Sequence, residues 1–93
     1  MMRRIYKYPL TITDRQVVAL PQGSRILYLA EQYEVPVLYA LVDVESINPL
    51  QDHVIRCFGT GQDVTLPIRW TPLGLVKLAG GQFMFHFFEE VIP

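Results

Sequence analysis

The sequence predicts a small all-β domain, an antiparallel barrel or sandwich of about seven strands with at most one short helical turn. Three observations carry this. Apolar and polar residues alternate with period two in short runs, and turn residues separate the runs. No segment keeps apolar residues at the i, i+3, i+4, i+7 spacing over three turns. Seven prolines, spread from Pro9 to Pro93, interrupt any long helix. The chain has 93 residues, enough for one core, so residues 1–93 are read as a single domain.

The elements follow in order. Arg4 to Leu10 is the first expected strand, with Tyr6, Tyr8 and Leu10 on one face and Ile5, Lys7 and Pro9 on the other. Pro9 cannot donate to a ladder, so it marks an edge or a strand end. Gln16 to Leu20 is the second strand. Pro21-Gln22-Gly23 fits a turn with proline at its first central position. Arg25 to Tyr33 and Val37 to Val44 are the third and fourth strands, with Glu34-Val35-Pro36 as the hairpin tip. That tip has no glycine, so a longer loop suits it better than a two-residue mirror-image turn. Glu45 to Asp52 reads as loop, with room for a single helical turn. His53 to Phe58 is the fifth strand. Val64 to Trp70 holds β-formers broken by Pro67 and reads as irregular. Leu73 to Leu78 is the sixth strand, and Gly80-Gly81 supplies the positive φ angles of a hairpin.

The last run, Gln82 to Glu89, is apolar on both alternating sets. Phe83, Phe85 and Phe87 point one way; Met84, His86 and Phe88 point the other. The pattern predicts a strand covered on both faces, inside a sandwich, a barrel or an oligomer.

Composition narrows the function. Hydrophobic residues are 51% of the chain, high for a body with so much surface per unit volume, so a homo-oligomer is expected. The net charge is -1, with 8 basic and 9 acidic residues and no block of one sign. Bulk neutralisation of phosphates is therefore disfavoured, as is a polybasic contact with an anionic membrane. Cys57 is the single cysteine, which excludes an intrachain disulfide and a cysteine-rich zinc site. Met1-Met2-Arg3-Arg4 leads into Ile5-Tyr6-Lys7-Tyr8, which is not the apolar stretch of a signal peptide. A cytoplasmic protein is expected.

Candidate chemistry is sparse. Gly59-Thr60-Gly61 lacks a following lysine or helix and reads as a tight turn, not a phosphate cradle. His53 and His86, with Asp52 or Glu89, lack metal-ligand spacing; His53 reads as solvated and His86 as a core or interface residue. Cys57 lies mid-strand and reads as a buried, inert thiol. No catalytic residue, metal or cofactor is expected. Arg69-Trp70 is the one binding candidate. It sits in a proline-flanked irregular segment, and both residue types are enriched at binding hot spots. The end of the chain carries Glu89-Glu90, which would repel phosphate and counts against an aromatic nucleic-acid platform.

Ile5-Tyr6-Lys7-Tyr8-Pro9-Leu10, then Ile12, Asp14 and Gln16, then Leu20-Pro21, Gly23 and Ile26-Leu27, resemble the opening of short uncharacterised proteins of bacteriophages and bacterial genomes. Pro36, Leu38 to Asp43 and Gly59-Thr60-Gly61 are similar too, as is the ending Gly80-Gly81 with Phe83, Phe85, His86, Phe88 and Glu89. The chain departs from the resemblance at Tyr33-Glu34-Val35 and between Glu45 and Asp52. The resemblance implies a phage or prophage origin and a domain of unknown function. It carries over no catalytic residues. The expected role is a non-enzymatic binding protein acting on a bacterial host protein or host defence. The alternatives are a small-ligand or nucleotide-binding sponge and a minor virion or assembly component.

Overall fold

Period-two alternation becomes two stacked antiparallel sheets. The computed structural model describes residues 2–45, 49–66 and 69–91. Among them the strands are β1 Arg3–Pro9, β2 Arg15–Pro21, β3 Arg25–Gln32, β4 Val35–Asp43, β5 Leu50–Gly59, β6 Trp70–Leu78 and β7 Phe83–Glu90. The one helical element described is a 3-10 turn at Ala79–Gly81. One sheet has the order β1-β4-β3 and the other β2-β5-β7-β6. Each sheet keeps its edges, so the fold is a sandwich and not a closed barrel. Its Cα trace measures 43 × 32 × 15 Å, the thickness of two sheet layers.

The core lies between the sheets. Leu10, Leu38, Ile55, Cys57, Val76 and Phe87 form its main cluster, and Leu20, Ala40 and Val42 a second. Tyr8 packs against both, so β1 turns the face expected of it inward. β1 is a sheet edge, which is where Pro9 is tolerated.

β5 and β6 both run antiparallel to β7, which lies between them. They are therefore parallel to each other. The link 60–69 must return along the sheet, from the level of Phe85, opposite Gly59, to that of Glu90, opposite Trp70. Its first residue reaches the outer face, where Thr60 Oγ1 and His86 Nε2 are 2.8 Å apart.

Several expectations are corrected. The strand covered on both faces is β5, with Val54 and Phe58 buried on its outer side and Ile55 and Cys57 on its inner side. In β7 only Phe87 is fully buried; Phe83 is 55% and Met84 37% exposed. Phe83 lies at the hairpin end, opposite Leu78 on the edge strand β6. The β3–β4 tip is a two-residue turn at Tyr33-Glu34, with φ of 51° and 64°, despite having no glycine. Its cost is offset by two hydrogen bonds: Glu34 N–H donates to Glu31 Oε1 at 2.7 Å, and Glu34 Oε1 accepts from Ala79 N–H at 2.9 Å. Pro21 opens its turn instead of sitting centrally, since Ser24 N–H donates to Pro21 O at 3.0 Å. Leu50 to Asp52 belong to β5, and the rest of the helical turn considered near Glu45 falls largely on residues 46–48, outside the described residues. Gly80 and Gly81 adopt the expected positive φ, 67° and 91°.

Two bulges bring the sheets together at one side. β3 bulges between Ile26 and Tyr28, and β6 between Pro72 and Gly74. Gly74 has φ 145°, and a Cβ there would lie 3.6 Å from Leu29 Cβ of the opposite sheet. Glycine is needed for the dihedral more than for the space.

Burial separates the phenylalanines of β7. Phe87→Ala is expected to cost about 3–5 kcal/mol in urea denaturation and Phe83→Ala less than about 1 kcal/mol. Equal losses would restore the doubly covered reading of β7.

Candidate functional site

The outer face of the four-stranded sheet carries the predicted site. Opposed residues share a face, so Val17, Val54, Glu90 and Trp70 form one row across β2, β5, β7 and β6. Arg15, Arg56, Phe88 and Pro72 form the next. Trp70 is 45% exposed and stands edge-on to Phe88, with ring centroids 5.3 Å apart at 88°. It opens β6 opposite Glu90, so it belongs to a regular ladder, contrary to the irregular segment expected. Arg69 is exposed, and its carbonyl accepts from Val91 N–H at 3.1 Å. The structure thus keeps Arg69 and Trp70 adjacent at one end of the sheet, with half-exposed Val91 bonded to Arg69; Val17 shares Trp70's row but stands on β2, the opposite edge of the sheet.

Arg56 anchors this face, a role its sequence position hides. Its side chain is 12% exposed. Nη1 donates to Glu90 Oε1 at 2.9 Å, Nη2 to Asp14 Oδ1 at 3.1 Å, and Nε to Asp14 O at 3.0 Å. The guanidinium also sits 5.2 Å from the Phe58 ring centroid. The Glu90 hydrogen bond, then Asp14, hold Arg56 charged above its usual range, against the opposing pull of burial. The β1–β2 link is thereby tied to β5 and β7. The partners lie 34 and 42 residues away in sequence, so no local pattern announces them.

The inner face holds the second polar pair. His53 Nδ1 donates to Glu89 Oε2 at 2.5 Å, with side chains 16% and 22% exposed. His53 is thus paired and half-buried, not solvated as expected. Among the described residues no three His, Cys, Asp or Glu side chains cluster as a metal site. His86, half-buried, bonds Thr60 through Nε2. Gly59-Thr60-Gly61 forms the turn expected of it, with Gln62 N–H donating to Gly59 O at 3.1 Å.

Cys57 is buried, and burial, then Asp14, push its thiol up to about 11. A thiol held protonated is a poor nucleophile at neutral pH.

The chain matches, over residues 1–93, a family described as a domain of unknown function, DUF7352. The chain belongs to this family. No curated protein and no solved structure matches it. Family membership therefore brings no activity to these residues. Among the described residues no helix is long and apolar enough to cross a membrane.

The thiol gives a pH test. Its folded pKa is raised from 9.0, so its stabilising contribution is complete below pH 9 and is lost as pH rises to about 11. Wild-type stability should fall by about 2 kcal/mol more than that of Cys57→Ala across this window. The tyrosines ionise there too, but in both proteins. Parallel curves would show that the thiol is solvated.

Proposed function

We propose that this is a non-enzymatic binding protein of phage type, acting on a bacterial host protein through the Arg69–Trp70 end of its four-stranded sheet. The carrying observation is Trp70, an indole nearly half exposed yet held in one orientation by its edge contact with Phe88. A rigid aromatic loses little freedom on docking, which is why such side chains dominate hot spots. The exposed Arg69 beside it adds directional donors. The phage origin rests on the resemblance of the opening and closing motifs, and the host cytoplasm follows as the site of action.

Self-association belongs to the same proposal but to another surface. The outer face of sheet β1-β4-β3 presents Ile5 and Tyr28, 56% and 53% exposed, in register with half-buried Leu41 and Tyr39. The Tyr28 and Tyr39 rings pack at a tilt of 33°, with centroids 5.3 Å apart. A second copy covering this face would form a symmetric dimer.

Arg69→Ala should leave the thermal midpoint nearly unchanged, and Trp70→Ala should lower it slightly. Each should weaken capture of the host protein retained by the wild type by roughly 1 kcal/mol or more. Undiminished capture by the double variant would overturn the site. Light scattering should show a mass that rises with concentration and returns to monomer in Tyr28→Glu. A concentration-independent monomer would overturn the dimer.

A further inference from the structure

We infer that the open edge of β2 is a docking site for an extended segment of another protein, which joins the four-stranded sheet as an antiparallel strand. The segment carries a basic, a β-branched and an acidic residue at alternate positions. β2 is the edge opposite to that of Trp70, and the inference goes beyond the docking reading without depending on it.

The ladder decides which backbone groups of β2 face outward. Cys57 N–H donates to Asp14 O at 3.2 Å, and Gln22 N–H to Pro49 O at 2.8 Å. Such bonds flank opposed residues that do not bond each other, so Arg15–Arg56 and Pro21–Leu50 are non-bonded pairs. Alternation then gives the ladder bonds to Gln16, Val18 and Leu20. It turns the N–H and C=O groups of Arg15, Val17 and Ala19 away from β5. All three residues are exposed, and among the described residues no other backbone group bonds their amides.

The other edges carry features that block strand addition. β1 holds Lys7 and Pro9, β3 is bulged between Ile26 and Tyr28, and β6 holds Pro72 beside its own bulge. β2 keeps one register from Arg15 to Pro21, and its proline is the last residue. A regular edge without such devices is a template for a further strand.

Charge sets the pattern of the guest. Arg15 stands opposite Arg56, whose guanidinium is already engaged by Glu90 and Asp14. Like charges opposed in this way are unfavourable, and Arg15 has no ion pair among the described residues. An acid opposite Arg15 supplies one. Asp52 lies opposite Ala19 on the same outer face, exposed and also without an ion pair among the described residues. A guest residue opposite Ala19 is two strand spacings, about 10 Å, from Asp52. Ala19 interposes only a methyl, so an arginine can reach over it. Val17, 47% exposed, meets the central β-branched residue. Read from its N-terminus, the guest is basic-x-branched-x-acidic. A second copy fits less well. β3 packs against β6, so β1 lies on the β2 side of the other layer. Two copies joined through β2 would bring Arg3, Arg4 and Lys7 of one toward the same residues of the other. A lone segment brings no second layer.

The probe is acetyl-Thr-Arg-Thr-Val-Thr-Glu-Thr-amide, titrated into the full chain and followed by amide-resolved NMR and hydrogen exchange. In the free protein the amides of Gln16, Val18 and Leu20 should be protected, and those of Arg15, Val17 and Ala19 should exchange readily. The peptide should give saturable shifts centred on residues 15–19 and slow the exchange of Arg15, Val17 and Ala19. An analogue methylated on the valine nitrogen cannot donate to Val17 O and should bind about fivefold or more weakly. An analogue with Gln for both Arg and Glu should lose about threefold or more. Arg15→Gln and Asp52→Asn should each lose about twofold toward the charged peptide, nothing toward the Gln analogue, and leave the urea midpoint undiminished. The proposal is overturned by no saturable shift at millimolar peptide, by shifts centred elsewhere, or by equal affinity for the methylated analogue. It is equally overturned by unaltered affinity in both variants or by protected Arg15, Val17 and Ala19 amides in the free protein. An oligomer mass that falls as peptide is added would assign the edge to a second copy and overturn it too.

Discussion

The insertion of β7 between β5 and β6 is the constraint on which the rest depends. It makes β5 and β6 parallel neighbours of a common strand, and so forces the long return of the chain between them. It also supplies one group to almost every feature of the sheet. Phe87 enters the main core, Phe88 props Trp70, Glu89 meets His53, and Glu90 meets Arg56. Backbone pairing on both sides satisfies the donors and acceptors of β7, which a strand at this depth needs. Remove β7 and both remaining neighbours become open edges, with the inner apolar set exposed.

Glu89 and Glu90 show how strand geometry disposes of charge. As a dipeptide they read as an acidic terminus that repels anions. On a strand they point to opposite faces, and each meets a different partner. Glu89 turns inward to His53 at the mouth of the sandwich; Glu90 turns outward to Arg56. Neither is left without a partner, and Glu90 is neutralised by the Arg56 guanidinium.

The strand pattern was legible because alternation is a local property. Tyr8 and Leu10 fell on the core side, Pro9 on an edge, and Gly80-Gly81 on positive φ. The turn at Tyr33-Glu34 was not legible, because its strain is offset by Glu31 and by a contact from Ala79, 45 residues away. The face pattern of β7 misled for a related reason. Alternation reports which residues share a face, but how well each face is covered depends on the partner sheet, and sheet β1-β4-β3 is one strand narrower. Trp70 was found by residue type, while Arg56 and the His53–Glu89 pair were missed. Both pairings are set by strand order, which no spacing along the chain encodes.

The apolar surplus of the composition now has an address. Two sheets in a slab 15 Å thick bury one interior layer and leave two outer faces. On the four-stranded sheet, Arg56, Phe58, Phe88 and the link residue Thr60 cover much of the outer side with the chain's own groups. Among the described residues no such return lies over the three-stranded sheet. Its outer residues Ile5, Leu41, Tyr28 and Tyr39 contribute to that surface, because alternation in β1 and β4 and the bulge in β3 turn them away from Leu38, Ala40 and Val42. Charged side chains on that face would not disturb the core. Arg25 opposite Leu41, Lys7 opposite Tyr39 and Arg3 opposite Asp43 already stand on it, so the apolar patch of Ile5 and Tyr28 is bounded by charge within its own rows.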